Sequence, residues 1–340
     1  MSTQSTRRFI LIGPGATGGT IAAELVRHGS DVLLVARGAE YDAISTQGLI
    51  YHTPDGTETL SIPVVKGPEQ VTLTPDDVFI IATKVQDVEP ALRAWAWQPV
   101  TAADGTVTRA ARTIPLVTVQ NGFNAERVAL RWFSTVYAGT IGCPGGKTTV
   151  GEITNYGATT RALLWLGRYP SGSDDELRSI AAELRATGRI GVQVVDDIKG
   201  FKAWKLSYNT VNSVEPVFAP SELRAELVDR LRLEALDVFA ADGIKPVDLH
   251  AEGVSELDLD SLKGGEVAGQ PRAGNSTLQS YVRGAEVESD YLNGEVVLLA
   301  RLLGVDAPLN EALQLLIQEA VAEKREPGAL GDDELKALLA

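Results

Sequence analysis

The chain has few of the residues that build disulfide frameworks and metal fingers. Its 340 residues include one cysteine, Cys143, and three histidines. A single cysteine excludes an internal disulfide, and the scattered His28, His52 and His250 do not form the clustered ligand set of a zinc site. We therefore expect no metal site. Because Cys143 has no histidine near it in sequence, we interpret it as a structural residue rather than a nucleophile.

Long apolar runs and basic clusters are also lacking. No apolar segment reaches the roughly 18 residues that span a bilayer, and the run after the N-terminal residues is too short for a signal-peptide core. Acidic residues number 45 and Lys plus Arg 31, which gives a net charge of −14 with no basic block. This balance argues against nucleic acid or an anionic membrane as partner. The sequence predicts a soluble, cytoplasmic protein with neither kind of partner.

The first half alternates short apolar runs with helical patterns. A length of 340 residues suggests about two domains. The runs are rich in branched residues, as in strands that are covered on both sheet faces, and they occupy residues 9–12, 32–35, 78–81 and 116–119. Residues 16–28, ended by Gly29, have helical spacing. Strand, helix and strand within about 30 residues predict a βαβ unit and a parallel sheet.

Long helical patterns dominate the second half. They cover residues 201–214, 221–242, 276–284, 286–303 and 310–324. We predict a sheet domain over residues 1–196 and an all-helical domain over residues 197–325. Residues 326–340, which begin with Glu326-Pro327-Gly328, are predicted to be a peripheral tail.

A glycine-rich hexapeptide follows the first apolar run directly. Gly13-Pro14-Gly15-Ala16-Thr17-Gly18 has the spacing G-x-G-x-x-G and opens a helical pattern. In dinucleotide-binding βαβ units the first glycine allows a tight turn, the second lets the backbone approach a pyrophosphate, and the third allows close helix packing. An ordinary strand-to-helix turn is the alternative. The context favours a cofactor site that includes Gly13, Gly15, Ala16, Thr17 and Gly18.

The end of the second run indicates which dinucleotide binds. NAD sites commonly place an acidic residue there for the ribose hydroxyls. Here the run ends in Ala36-Arg37-Gly38, and the guanidinium of Arg37 suits a 2′-phosphate. We predict a preference for NADP(H), against the alternative that Arg37 is a plain surface arginine.

Several ordered segments of the chain resemble the ketopantoate reductases (2-dehydropantoate 2-reductases), to about residue 325. They are residues 12–18, Val35-Ala36-Arg37-Gly38, Ala82-Thr83-Lys84, Val119-Gln120-Asn121-Gly122, Trp204-Lys205-Leu206 with Asn209, and residues 288–294. The resemblance implies an α/β fold, with an N-terminal Rossmann-type doubly wound parallel sheet. It also implies an all-helical C-terminal domain like that of 6-phosphogluconate dehydrogenases. Its implied activity is the reduction of a 2-oxo acid to a 2-hydroxy acid with NADPH.

Lys205 is the candidate general acid. A ketone oxygen gains negative charge as hydride arrives, so a positioned ammonium group both stabilises and protonates it. Lys205 lies in an otherwise apolar helix start, where partial burial would lower the pKa of a lysine. The residues alone leave open a surface lysine on an amphipathic helix, whereas the resemblance assigns Lys205 as the catalytic acid. Asn209, four residues on, shares its helix face and can hold the lysine or the substrate oxygen.

The chain departs from the family beside these residues. The family often has a second asparagine at the position of Ser213, and we expect Asn212, which returns close to the face of Lys205, to replace it. The family also frequently has methionine and aspartate at the positions of Thr277 and Ser280. These departures leave the identity of the substrate's side chain undetermined.

Two residues of the last third complete the expected substrate site. By the resemblance, Ser276 binds the substrate carboxylate, and Glu288 contacts the lysine or the substrate hydroxyl. One straight helix would separate them by about 18 Å, so we predict a break at Arg283-Gly284-Ala285. A helix cap and a solvated acid are the alternatives for Ser276 and Glu288.

Lys84 and Asn121 follow predicted strands. Ligands of doubly wound sheets bind at that edge. The resemblance implies a cofactor-phosphate or substrate-side role for Lys84 and a place near the nicotinamide ribose for Asn121. A loop lysine and a turn asparagine are the alternatives.

The sequence thus predicts an NADPH-dependent 2-oxo acid reductase, monomeric or homodimeric, with 2-dehydropantoate as the leading substrate. Lys205 and Glu288 are the expected catalytic residues, and Asn209, Asn212 and Ser276 the substrate-binding ones. The same machinery acting on another 2-oxo acid or an imine is a close alternative. A non-catalytic NADP-sensing regulator is a further one, disfavoured because it needs neither Lys205 nor Glu288.

Overall fold

A computed structural model describes residues 7–147, 149–272 and 274–340. These residues fold into two units. The first contains residues 7–120, 125–198 and 255–272, and the second contains residues 121–124, 199–254 and 274–340.

The strands of the described residues lie before residue 195. They are β1 (Arg8–Ile12), β2 (Asp31–Val35), β3 (Leu49–Thr53), β4 (Gly56–Leu60), β5 (Val64–Val65), β6 (Asp77–Ile81), β7 (Pro99–Thr101), β8 (Val107–Arg109), β9 (Leu116–Thr118), β10 (Val136–Gly142), β11 (Gly145–Gly146), β12 (Glu152–Asn155), β13 (Ala162–Arg168) and β14 (Ile190–Val194).

The α-helices occur along the whole chain. They are α1 (Ala16–His28), α2 (Gly38–Gln47), α3 (Val88–Ala96), α4 (Ala110–Thr113), α5 (Asn124–Ala129), α6 (Asp175–Ala186), α7 (Ile198–Asn209), α8 (Val214–Val217), α9 (Glu222–Ala241), α10 (Ser276–Val282), α11 (Ser289–Leu303), α12 (Pro308–Glu323) and α13 (Asp332–Leu339).

A mostly parallel sheet forms the centre of the first unit. Among the described residues its strand order is β14-β13-β10-β9-β6-β1-β2-β5, with only β10 and β13 antiparallel. Phe9, Ile10 and Leu11 of β1 are 0% exposed, as expected for a strand covered on both faces. The predicted doubly wound parallel sheet is confirmed. The remaining strands form a smaller sheet, β11-β12-β3-β4, and the β7–β8 pair.

The carboxyl ends of the central strands lie level. Ile12 pairs with both Val35 and Ile81, and Ile81 pairs with Thr118. The direction of strand succession changes at β1, which lies between β2 and β6. Ligands of open α/β sheets bind at such a switch point.

The second unit is all-helical, as predicted. One core cluster joins α7, α9 and α11 through residues such as Leu206, Phe239 and Val296. Another joins α8, α9, α12 and α13, and includes Val217 and Leu313.

The sequence predicts a single boundary near residue 196, whereas the segments of the two units alternate along the chain. Residues 255–272 belong to the first unit, where Gly265 donates to the carbonyl of Tyr156 (2.6 Å) and Trp165 Nε1 donates to Ser255 Oγ (3.2 Å). These contacts form between residues about 90 or more positions apart, and local sequence patterns do not encode them.

The predicted peripheral tail is instead packed. Its helix, α13, buries Leu335 at 0% exposure within the core of the second unit. Arg230 Nη1 donates to the carbonyl of Leu339 at 2.7 Å, which ties the helix to α9. The short amphipathic pattern of residues 332–339 is the physical reason for this packing.

Candidate active site

The glycine-rich turn joins β1 to α1 against the end of β6. Gly13 has φ +105°, and a Cβ there would lie 2.8 Å from the backbone nitrogen of Thr83. A Cβ on Gly18 would lie 2.1 Å from the carbonyl oxygen of Gly13 and 2.8 Å from Ala82 Cβ. Both positions therefore require glycine for the turn to form.

Gly15 differs from the other two glycines. It is the N-cap of α1, and a Cβ built on it meets nothing within 4 Å. Beside it, Ala16 and Thr17 open the helix, whose first N–H groups have no intrahelical acceptor. Thr83 Oγ1 is buried and has no hydrogen-bond partner within the described ranges. Open space, free donors and an orphaned hydroxyl fit a bound pyrophosphate.

Helix α1 is held in place by a buried polar cluster. Tyr51 Oη donates to Glu24 Oε1 at 2.9 Å, and Arg161 Nε lies 3.7 Å from the same oxygen. Burial, together with the neighbouring Glu24 carboxylate, raises the pKa of Tyr51 well above its usual range. Asn155 Nδ2 donates to Thr20 Oγ1 at 3.3 Å. These contacts fix the helix that carries the glycine-rich turn.

Arg37 lies where it was expected, at the end of β2. It is exposed and is the N-cap residue of α2. The nearest acid along α2, Glu40, is directed elsewhere: its carboxylate pairs with Lys147 at 2.6 Å and accepts the N–H of Gly151 at 3.1 Å. An acid in the NAD-type position is therefore lacking among the residues described at this strand end.

Lys84 lies in the loop that follows β6 and is half-buried. Gln120, which sequence reasoning did not single out, ties this loop to the end of β9. Its Nε2 donates to the carbonyls of Ile81 (2.9 Å) and Thr83 (3.1 Å). The sequence signal that could have identified Gln120 is its place directly after a buried strand, in the segment Val119-Gln120-Asn121-Gly122.

In the second unit, Lys205 and Asn209 lie one turn apart on α7. Lys205 is half-buried, and Asn209 is 6% exposed. The Asn209 amide has no hydrogen-bond partner in the part of the chain that the structure describes. Because buried amides are normally hydrogen-bonded, this one is suited to a ligand.

The helix tightens directly after Asn209. Residues 210–213 form a 3₁₀-helix, in which positions three apart eclipse each other, so Asn212 returns to the face of Asn209. Ser213 is 0% exposed and donates to Asn293 Oδ1 at 2.9 Å. Asn293 in turn donates to the carbonyl of Thr210 at 2.8 Å. Ser213 is thus a core residue, and Asn212 is the half-buried amide of this turn.

Ser276 begins α10, which packs against the 3₁₀-turn. The preceding residue, Asn275, caps this helix: its Oδ1 accepts the N–H groups of Thr277 and Leu278 at 2.9 and 3.0 Å. Its Nδ2 donates to Glu215 Oε2 at 2.8 Å. Ser276 is therefore not the cap, and its side chain is exposed.

The predicted break between α10 and α11 is confirmed. Gly284 has φ +63°, and α11 begins at Ser289, with Glu288 as its half-buried N-cap residue. Asn121 is brought to this helix start, because a Cβ on the next residue, Gly122, would lie 2.8 Å from the carbonyl oxygen of Tyr291. Gly122 has φ +75°, so the turn needs glycine.

The predicted site residues thus form one group in each unit. Gly13, Gly15, Ala16, Thr17, Gly18, Arg37 and Lys84 line one edge of the first unit's sheet. Lys205, Asn209, Asn212, Ser276, Glu288 and Asn121 lie on neighbouring elements of the second unit. Over the described ranges, no group of three or more His, Cys, Asp or Glu could hold a metal, and no helix has the length and apolarity to cross a membrane.

Known proteins resemble this chain over nearly its full length. A 2-dehydropantoate 2-reductase of Pyrococcus horikoshii is 26% identical over 328 residues, covering 92% of this chain and 96% of that protein. The crystal structure of a PanE/ApbA family ketopantoate reductase from Ralstonia eutropha JMP134 has a TM-score of 0.74 at 22% identity, with 94% and 100% coverage. A ternary structure of D-mandelate dehydrogenase with NADH and anilino(oxo)acetate has a TM-score of 0.75 at 18% identity, with 94% and 99% coverage.

Two family models match the two parts of the chain in order. The model described as ketopantoate reductase PanE/ApbA matches residues 9–171, and its C-terminal counterpart matches residues 202–321. The match joins the segment with the glycine-rich turn to the helices that carry Lys205 and Glu288. The chain therefore belongs to the ketopantoate reductase PanE/ApbA family.

Proposed function

We propose that the protein reduces a 2-oxo acid to a 2-hydroxy acid with NADPH, with 2-dehydropantoate as the leading substrate. Membership of this family of nicotinamide-dependent oxidoreductases supports the reaction class. The observation that carries the assignment to this chain is the nearly buried Asn209 amide without a described partner, one helical turn from Lys205.

The first unit binds the cofactor in this proposal. The open space at Gly15, the free N–H groups of α1 and the unpartnered Thr83 hydroxyl support a pyrophosphate site there. Arg37 would bind the 2′-phosphate. The loop after β6, which Gln120 holds by two hydrogen bonds, would bring Lys84 to the cofactor. When bound, NADPH supplies the hydride for the keto carbon.

The second unit supplies the proton and holds the substrate. Lys205 Nζ donates a proton to the carbonyl oxygen as negative charge develops on that oxygen, and the neutral amine is then reprotonated from solvent. Asn209 and Asn212 donate amide hydrogen bonds to the substrate from one face of α7 and its 3₁₀ extension. Ser276 binds the carboxylate, and Glu288 accepts the substrate hydroxyl or orients the lysine.

The direct test follows NADPH consumption with 2-dehydropantoate. Lys205→Ala should lower kcat by roughly 10²–10⁴-fold, the usual contribution of general acid catalysis. Lys205→Arg should remain slow, because a guanidinium keeps its charge but does not release a proton near neutral pH. Lys199→Ala, which removes another half-buried lysine from the same helix, is the matched control and should keep its activity.

A kcat of Lys205→Ala within tenfold of the wild type would contradict the role of Lys205. NADPH binding without turnover of any keto acid, or of any keto acid–amine mixture, would contradict the proposed reaction and leave the NADP-sensing regulator.

A different 2-oxo acid as substrate is the second candidate. The departure from the family at Ser213 favours this candidate. Ser213 occupies the family's second asparagine position, but its hydroxyl donates a hydrogen bond to Asn293 in the core. Thr277 and Ser280 are also buried hydroxyl residues of α10. The same assay with a panel of 2-oxo acids of varied side chain distinguishes the two candidates, since the true substrate has the highest kcat/KM.

A further inference from the structure

A second cation lies beside the strand end that carries Arg37. In the sheet β5 runs parallel to β2 with Val65 opposite Val35, and the N–H of Ala36 donates to the carbonyl of Val65 at 3.0 Å. Lys66 is the next residue after Val65. Since neighbouring strands are about 4.8 Å apart, Lys66 and Arg37 leave adjacent strands at the same edge of the sheet.

One aromatic ring lies against the ammonium group of Lys66. Lys66 Nζ is 4.6 Å from the centroid of the Tyr41 ring. Tyr41 lies in the first turn of α2, four residues after the N-cap residue Arg37. The ring is half-buried and packs against the core of the first unit, so it is a fixed support for the ammonium group.

Neighbouring acids do not neutralise this pair. In the ranges that the structure describes, neither Arg37 nor Lys66 forms an ion pair, and Glu40 is held by Lys147. The carboxylate of Glu69 lies over its own turn, since a Cβ on Gly67 would come within 2.5 Å of it. Two uncompensated cations at one point of a chain with net charge −14 indicate a place for an anion.

We propose that Lys66, positioned by Tyr41, binds the 2′-phosphate of NADP(H) together with Arg37. This inference rests on the proposed use of NADP(H). A phosphate monoester carries about −1.5 to −2 charges near pH 7, more than one guanidinium compensates. Arg37 offers a planar fork to two oxygens and Lys66 adds a compact second charge. NADH has a neutral hydroxyl at the same position and gains nothing from Lys66.

The test measures binding by calorimetry, with no turnover required. We expect Lys66→Gln to weaken binding of NADPH and of 2′,5′-ADP by about five- to tenfold, because one charge-assisted contact is lost. Affinity for NADH and 5′-AMP should stay within about twofold. Lys66 is exposed, so the variant should fold. Arg178→Gln is the charge-matched control, on a helix that packs against β14 at the opposite edge of the sheet.

Two tyrosine variants test the positioning role. Tyr41→Phe keeps the ring and should bind NADPH like the wild type. Tyr41→Leu removes the support for the ammonium group and should weaken only the 2′-phosphorylated ligands, by about two- to threefold. An equal loss for 5′-AMP would show that the ring acts on the shared adenosine, which contradicts the proposed role of Tyr41.

The possible outcomes distinguish a failure of this inference from a failure of the proposed function on which it rests. If the wild type binds NADH as tightly as NADPH, the proposed coenzyme is wrong. If the wild type prefers NADPH and Lys66→Gln keeps the full preference, only the role of Lys66 is wrong. An equal weakening of NADPH and NADH by Lys66→Gln would also overturn it, because Lys66 would then bind a part that both coenzymes share.

Discussion

Alanine substitutions in the glycine-rich turn should separate cofactor binding from folding. At Gly15 the backbone has φ −75° and ψ −175°, which alanine adopts without strain, and the space beside it is open. Alanine is a poorer N-cap than glycine by about 0.5–1 kcal/mol, and it restricts the unfolded chain by a similar amount. The free energy of unfolding of Gly15→Ala should therefore stay within roughly 0.5 kcal/mol of the wild type.

Binding of NADPH should respond differently. In the proposed cofactor site, the added methyl group would occupy the position from which the backbone approaches the pyrophosphate. Hydrogen bonds to a charged group are worth about 1.5–3 kcal/mol, so displacing the phosphate should raise the Kd for NADPH about 10- to 100-fold. Fluorescence titration with NADPH and thermal unfolding of the same sample measure the two effects.

Gly18→Ala is the matched comparison, three residues away. Its Cβ would lie 2.1 Å from the carbonyl oxygen of Gly13, so the helix must shift. Overpacking of this kind costs about 2 kcal/mol, which lowers Tm by roughly 4–8 °C in a unit of this size. NADPH binding by Gly15→Ala within twofold of the wild type would refute the pyrophosphate site. A Tm of Gly18→Ala equal to the wild type would refute the packing argument.

Two further predictions concern stability, and urea denaturation measures both. The carboxylate of Asp174 accepts hydrogen bonds from Tyr137 Oη (2.7 Å), Leu177 N (2.9 Å) and Arg168 Nη1 (2.8 Å). Burial alone would raise the pKa of Asp174, but these hydrogen bonds outweigh burial and hold the pKa below its usual range. Asp174→Asn, which keeps the N-cap, should therefore destabilise the protein at pH 5–7, and the difference should shrink below about pH 4 as the wild-type carboxylate is protonated; a difference that is constant down to pH 3 would contradict this. Leu335→Ala should lower the free energy of unfolding by about 2–4 kcal/mol, because the side chain of Leu335 is fully buried. Leu302→Ala, at an exposed position, should lower it by less than about 0.5 kcal/mol. Equal losses in the two variants would contradict a packed C-terminal helix.

The central strands and α1 could be predicted because their signals are local. The four apolar runs became β1, β2, β6 and β9, and the helix of residues 16–28 ends at Gly29, whose φ is +88°. The β3–β4 hairpin was missed. Its second strand is largely exposed and polar, so neither a continuous apolar run nor clear alternation marks it, although Pro54-Asp55-Gly56 is a turn signal between the strands.

In the candidate site, the helix positions could be predicted and the partners could not. The i, i+4 relation of Lys205 and Asn209 follows from helix geometry alone. The core role of Ser213 depends on Asn293, 80 positions further along the chain, and the anchoring of the β6 loop depends on Gln120, 39 positions after Ile81. Sequence patterns report faces of an element, whereas such long-range hydrogen bonds arise only once the elements have packed.

The interleaving of the two units limits how the chain can be cut or recombined. Residues 121–124 interrupt the first unit and residues 255–272 return to it, where Ala158 donates to the carbonyl of Lys263 at 3.3 Å. A fragment that ends at residue 198 would lack this returning segment, and one that begins at residue 199 would carry it without its hydrogen-bonding partners. A chimaera that takes its sheet unit from a relative should therefore exchange residues 255–272 along with the N-terminal part. Recombination of this chain thus has to treat two separated stretches of sequence as one structural part.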